Sequence, residues 1–123
     1  MSPQLIDQFV ESLREPGTSD LSPALMAATL GVAQHDLATV IGVHRNTLRL
    51  HPESFRVQES LRGLVSVVAA AAQIQPDVTK ALFLVKNTPV EMFGHRTLLQ
   101  VVRDGRTDEA LAYLRSISAG FVG

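Results

Sequence analysis

The segment from Ser54 to Gln75 constrains the fold more than any other part of the chain. Its apolar residues recur at helical spacing, and its second half is apolar nearly all the way round. A helix of that kind is buried on several sides. No segment of the sequence alternates between apolar and polar residues in the manner of a strand. The sequence therefore predicts an all-α fold with about eight helices.

Start and stop signals divide the rest of the chain into shorter helices. Ser22 followed by proline predicts a helix start, and Gly31 and Gly42 predict the ends of the next two helices. In the C-terminal third, residues 108–118 are the predicted last helix, and residues 119–123 follow it as a short tail.

These signals predict three units. Residues 1–20 form an N-terminal helix and a linker, and residues 21–53 form a helix-turn-helix. Residues 54–123 form a C-terminal helical domain, packed with the helix-turn-helix.

Composition excludes several classes of protein. Apolar residues make up 46% of the chain and charged residues 19%, which excludes wholesale disorder. Cysteine is absent, which removes disulfide frameworks, thiol nucleophiles and cysteine-based zinc sites. No apolar run reaches membrane-spanning length, and acidic Asp7 and Glu11 stand where a signal peptide needs a basic start. We therefore expect a soluble, cytoplasmic protein.

Positive charge is concentrated in one segment. Between residues 44 and 62 there are four arginines against two glutamates, while the preceding part of the chain is acidic. A local basic segment in a slightly acidic chain predicts an anionic partner at that place, and a solvated helix face is the alternative.

The window from Gln34 to Leu50 contains the spacing of a DNA-binding motif. Ala38 supplies a small residue where two helices touch, and Gly42 supplies a turn residue four positions later. In this window the chain resembles the helix-turn-helix of Xre-type repressors. The side chains offered to DNA are His44, Arg45, Asn46, Thr47 and Arg49, with Arg56 and Arg62 adding phosphate contacts. A helical hairpin that only packs is the alternative.

The last third of the chain carries a second pattern. A loop, Asn87-Thr88-Pro89, is followed by Met92-Phe93-Gly94, a short apolar helix from Leu98, a turn at Asp104-Gly105, and a final amphipathic helix. Over residues 81–123 this order resembles the toxin-binding domain of the Xre/MbcA/ParS antitoxin family.

The resemblance implies an antitoxin of a type II toxin–antitoxin module. Its partner would be a toxin with a RES domain, which consumes NAD or uses it to ADP-ribosylate a target. The C-terminal helix and tail of the antitoxin would cover the NAD site of the toxin. The residues in that position are Arg115, Ser118, Gly120, Phe121, Val122 and Gly123. A frayed terminus is the alternative reading of this segment.

Partners and competing functions follow from the two patterns. The antitoxin hypothesis implies that the chain represses its own operon by binding operator DNA. It also implies a homodimer, which forms a hetero-oligomer with the toxin. The apolar face of residues 54–75 is the predicted candidate for part of the dimer interface. One alternative is a stand-alone Xre-type regulator whose C-terminal domain only dimerises, and another is a helical adaptor without DNA contact.

Catalytic signatures are missing from the sequence. The four histidines, at positions 35, 44, 51 and 95, lack the spacing of metal ligands. There is no nucleophile elbow, phosphate loop or dinucleotide fingerprint. We therefore expect no enzymatic activity, no metal and no cofactor.

Overall fold

The computed structural model describes the backbone of residues 3–122 and the side chains of residues 6–120. This part of the chain contains eight α-helices and one short 3-10 turn, and two isolated β-bridges are its only extended pairing. The predicted all-α fold with about eight helices is therefore confirmed. The helices are α1 (Pro3–Ser12), α2 (Pro23–Leu30), α3 (Gln34–Ile41), α4 (Arg45–Leu50), α5 (Phe55–Ile74), α6 (Val78–Asn87), α7 (Leu98–Arg103) and α8 (Thr107–Val122), with the 3-10 turn at Glu91–Phe93.

Helix α5 is the centre of the fold. It packs against α8 and α6 most extensively, and also against α3 and α1. Val57, Leu61, Leu64 and Val67 on this helix are completely buried. The apolar face predicted as a candidate for part of a dimer interface is therefore covered at these four residues by helices of the same chain. Formation of a homodimer stays a prediction.

Side-chain caps explain why the central helices begin where they do. Ser54 accepts a hydrogen bond from the Val57 amide at the start of α5. Asp77 accepts hydrogen bonds from two amides at the start of α6. Thr97 and Gln100 form a reciprocal capping box at the start of α7. Each cap satisfies donors that a helix start leaves free.

Helix α8 is longer than the sequence predicts. The predicted helix ended at Ser118 with a tail behind it, whereas α8 runs to Val122. No proline or strong stop signal lies between Ser118 and Val122, and a glycine in the last turn is a weak helix breaker. Residues 119–122 are therefore one more helical turn and not an extended tail.

A buried glutamine fastens the segment before α2 to the rest of the fold. Gln58 on α5 is only 4% exposed. Its Oε1 accepts a hydrogen bond from the Leu21 amide at 2.8 Å, and its Nε2 donates to the carbonyls of Leu21 and Pro52 at 2.9 and 2.8 Å. Leu21 also forms a β-bridge with Arg14. One side chain therefore joins the α1–α2 connection, the α4–α5 turn and the central helix.

The predicted helix-turn-helix segment and the C-terminal helices share one hydrophobic core. Helix α3 packs against α7 and α5, and α2 packs against α3. Buried side chains from both parts, such as Leu37 and Leu98, belong to the same cluster. The sequence boundaries at residues 21 and 54 therefore fall inside one packed body, and the three-unit division stays a prediction.

No single helix in the described range of residues 3–122 is long and apolar enough to cross a membrane. Helices α2 and α3 reach the length and apolar composition of a membrane span only when they are taken together, and the chain bends by 98° between them.

Candidate functional site

Helices α3 and α4 are joined by a tight turn that begins at Gly42. Gly42 ends α3 in the left-handed conformation with φ 74°, and its amide faces the carbonyls of Ala38 and Thr39. The Val43 amide donates to the Ala38 carbonyl at 3.0 Å, and the Ala38 side chain is buried. The two residues that the sequence singled out for the turn and for close packing therefore occupy those positions.

His44 starts the second helix of the pair. Its Nδ1 accepts a hydrogen bond from the Asn46 amide at 3.1 Å, so the imidazole caps α4. Because Nδ1 accepts that bond, the free Nε2 is the nitrogen left to contact a ligand. His44 is exposed and stays available at the edge of the helix.

The exposed face of α4 is set by the burial of Leu48. Leu48 is packed into the core and Thr47 is half-buried, which turns three polar side chains outward. Those side chains are Arg45, Asn46 and Arg49. They line an open groove of about 490 Å³ together with Gln34 and His35 from the first turn of α3.

Arg56 and Arg62, which were predicted to contact phosphates, both interact with groups of the chain itself. Arg56 on α5 donates through Nη2 to the Gly42 carbonyl at 3.1 Å, so it braces the turn between α3 and α4. Arg62 pairs with Glu59 one turn away at 3.3 Å. Arg56 is nevertheless exposed beside the turn, where its remaining N–H groups face solvent.

The electrostatics of this surface leave two arginines without an anionic partner. Among the described side chains, no carboxylate lies within ion-pair distance of Arg45 or Arg49. The nearby histidines do have such neighbours, His35 with Asp36 at 3.4 Å and His51 with Glu53 at 3.9 Å. No described carboxylate therefore neutralises the positive charge of the α4 face.

Sequence reasoning did not include Gln34 and His35 in this site. Both belong to the first turn of α3, and the structure places them across the groove from Arg45 and Arg49. The predicted helix-turn-helix offers a signal for them, since the first helix of such a motif crosses the DNA backbone.

The left-handed turn at Gly42 gives a prediction with a matched control. Gly42→Ala should lower the free energy of unfolding by about 1 kcal/mol, because an L side chain is strained at positive φ. No neighbouring atom would meet the new Cβ, so the effect is conformational alone. Gly63→Ala, in the middle of α5, should instead raise stability by about 0.5–1 kcal/mol. Its Cβ would meet only the Thr107 methyl group, at 3.6 Å.

Urea denaturation of the two variants checks the sign of each effect. A Gly42→Ala variant as stable as the wild type would show that the turn does not require the left-handed conformation.

The C-terminal candidate residues lie along α8. Arg115 is exposed and Ser118 half-buried, and both line a groove of about 280 Å³ between α8 and the outer side of α5. Gly120 is exposed in the last turn of α8. Phe121 and Val122 continue that helix, but their side chains and the whole of Gly123 lie outside the described residues.

The loop before α7 packs onto α8. The Phe93 and Tyr113 rings meet edge to face with centroids 5.6 Å apart, and the Arg106 guanidinium lies 5.3 Å from the Phe93 centroid. Arg96 forms an ion pair with Asp104 at 2.8 Å. His95 has φ 66°, a strained value for a residue other than glycine. These contacts fix the loop against the core beside α8.

Comparison with family models, with characterised proteins and with solved structures found no match to this chain. The resemblances to the Xre-type helix-turn-helix and to the antitoxin family therefore stay predictions. Within residues 3–122 no three His, Asp or Glu side chains come together as a metal site.

Proposed function

We propose that this chain is the antitoxin of a type II toxin–antitoxin module. In this proposal it binds operator DNA through α4 and blocks the NAD site of a RES-domain toxin through the end of α8. The observation that carries the proposal is the α3–α4 geometry, in which Gly42 closes the turn and Arg45, Asn46 and Arg49 face outward.

The chemistry of the α4 face suits duplex DNA. Arginine makes paired hydrogen bonds with guanine or binds phosphate, and asparagine pairs with adenine. Because Arg45 and Arg49 have no carboxylate partner among the described side chains, binding to phosphate does not require an existing ion pair to break. Arg56 supports this surface through its hydrogen bond to the Gly42 carbonyl.

The toxin-binding half of the proposal rests on the family resemblance and on the exposed end of α8. Arg115 carries no ion-pair partner among the described side chains and lines the groove beside α5. A toxin pocket that accepts the anionic pyrophosphate of NAD is itself lined with cationic donors, so Arg115 would lie at the rim of that pocket and not inside it. The final turn of α8, with Ser118 and Gly120, would lie at the mouth of that pocket, and the chain would inhibit by occupying it.

Operator binding in this proposal uses a homodimer. Two copies would place two α4 helices in successive major-groove half-sites, about 34 Å apart. The dimer surface must lie outside the buried face of α5, because the helices of the same chain already cover it.

A stand-alone transcription regulator is the second candidate, and one observation favours it. Residues 119–122 continue α8 as a helix, which leaves no extended tail to enter a pocket in the described part of the chain. In this reading the α4 face still binds DNA and the C-terminal helices serve only assembly.

The consumption of NAD by the protein encoded beside this chain distinguishes the two candidates. We expect the full chain to stop that consumption, and a chain ending at Ser118 to lose most of the inhibition because the last turn of α8 is missing. Lys80→Ala, on α6, should inhibit as well as the wild type. Failure of the full chain to inhibit, or a neighbouring protein that consumes no NAD, would favour the stand-alone regulator.

A further inference from the structure

Two exposed apolar side chains flank the turn between α4 and α5. Leu50, the last residue of α4, is 57% exposed, and Phe55, the first residue of α5, is 76% exposed. Phe55 is the most exposed large apolar side chain in the described part of the chain. The Ser54 amide donates to the His51 carbonyl at 3.1 Å, which closes the turn and keeps its two flanks together. Exposure of these two apolar side chains to water is unfavourable. Binding of a partner that covers them is therefore favoured by the hydrophobic effect.

This apolar pair follows the cationic side chains of α4 in the chain. Leu50 lies one helical turn after Asn46, and Asn46 lines the groove together with Arg45 and Arg49. Phe55 precedes Arg56, whose guanidinium donates to the Gly42 carbonyl in the turn between α3 and α4. A second copy of the chain on this surface would bring like charges together, which disfavours it. A polyanion that also presents apolar groups fits both features.

We propose that Leu50 and Phe55 contact the methyl groups of thymines in the major groove of duplex DNA bound by α4. The proposal rests on the proposed function, because it takes DNA binding by α4 as given. The thymine methyl is the apolar group that base edges display in the major groove. With only six residues, α4 presents few polar side chains to the bases. An apolar pair at its end extends the contact beyond the helix.

The test compares two duplexes of the same mixed sequence, about 30 base pairs long to span two half-sites. One contains thymine, and the other has uracil at every thymine position, which removes only the methyl groups. The affinities of the wild type, Phe55→Ala and Leu50→Ala are measured by fluorescence anisotropy. Phe83→Ala is the matched control, since Phe83 is also a phenylalanine and is 64% exposed on α6.

We expect Phe55→Ala to bind the thymine duplex about three- to tenfold more weakly than the wild type, from the loss of apolar contact. The wild type should lose at least a similar factor on the uracil duplex, while Phe55→Ala should lose less, because only the Leu50 contact with the methyl groups remains. Leu50→Ala should follow the same pattern. The salt dependence of binding should stay unchanged in both variants, because no phosphate contact is lost. Phe83→Ala should match the wild type throughout.

Other results would overturn the proposal in distinguishable ways. In one such result the wild type binds the thymine duplex, Arg49→Ala lowers the affinity, and Phe55→Ala has the same affinity as Phe83→Ala. That result would refute the methyl contact and leave DNA binding by α4 in place. An equal uracil penalty in the wild type and in Phe55→Ala would place the methyl readout elsewhere. A change of mass in sedimentation on Phe55→Ala, without DNA, would show that a second copy covers this pair. Absence of wild-type binding to either duplex would refute the proposed DNA function as well.

Discussion

Gln58→Leu should lower the free energy of unfolding by about 3 kcal/mol, because leucine fills the site but leaves buried backbone groups without partners. The amide of Gln58 makes three hydrogen bonds at 2.8–2.9 Å, two with Leu21 and one with Pro52. Leucine makes none of them. We expect the unfolding midpoint in urea to fall while the transition remains cooperative.

Gln73→Leu is the matched control for this prediction. It makes the same substitution on the same helix, at an exposed position, and should change stability by less than about 0.5 kcal/mol. Hydrogen exchange gives a local readout, because the Leu21 amide donates to Gln58 and should exchange faster in Gln58→Leu. A Gln58→Leu variant as stable as Gln73→Leu would show that the hydrogen bonds of Gln58 to Leu21 and Pro52 do not stabilise the fold.

The double substitution Arg45→Ala/Arg49→Ala should weaken binding to duplex DNA by about 2–4 kcal/mol of binding free energy. Both side chains are exposed on the α4 face and neither has an ion-pair partner among the described side chains. If both contact phosphates, the slope of log affinity against log salt should become shallower by about 1.8. Folding should be little affected, because these side chains contribute nothing to the core.

A charge-matched control separates a local contact from a general effect of net charge. Lys80→Glu also makes the chain more negative by two charges, but it changes a residue near the start of α6, which follows the C-terminal end of α5. The α4 helix precedes the opposite end of α5. We expect Lys80→Glu to bind DNA almost as well as the wild type. Equal losses in the two variants would mean that DNA contact is not concentrated on α4.

Most helix boundaries could be predicted because their signals are local. Ser22 caps α2 and Gly31 ends it, and Gly42 ends α3, as the sequence indicates. The end of α8 could not be predicted in the same way. Gly120 is only a weak helix breaker, and α8 continues past it to Val122.

Long-range contacts were beyond what the sequence could reveal. A glutamine in an amphipathic helix is usually a surface residue, and the partner of Gln58 at Leu21 is 37 positions away. The face of α5 was predictable as apolar, but not the helices that cover it. For the candidate site, the outward direction of Arg45, Asn46 and Arg49 followed from the packing of Leu48. The hydrogen bond from Arg56 to Gly42 did not follow from any local pattern.

The central claim is that the α4 face binds duplex DNA, and a salt titration of the wild-type chain tests it most directly. The affinity for a duplex of about 30 base pairs is measured by fluorescence anisotropy at several salt concentrations. The account predicts binding whose log affinity falls linearly with log salt, with a slope of about −1.8 or steeper for at least two phosphate contacts. Absence of binding at low salt, or an affinity that does not change with salt, would contradict it.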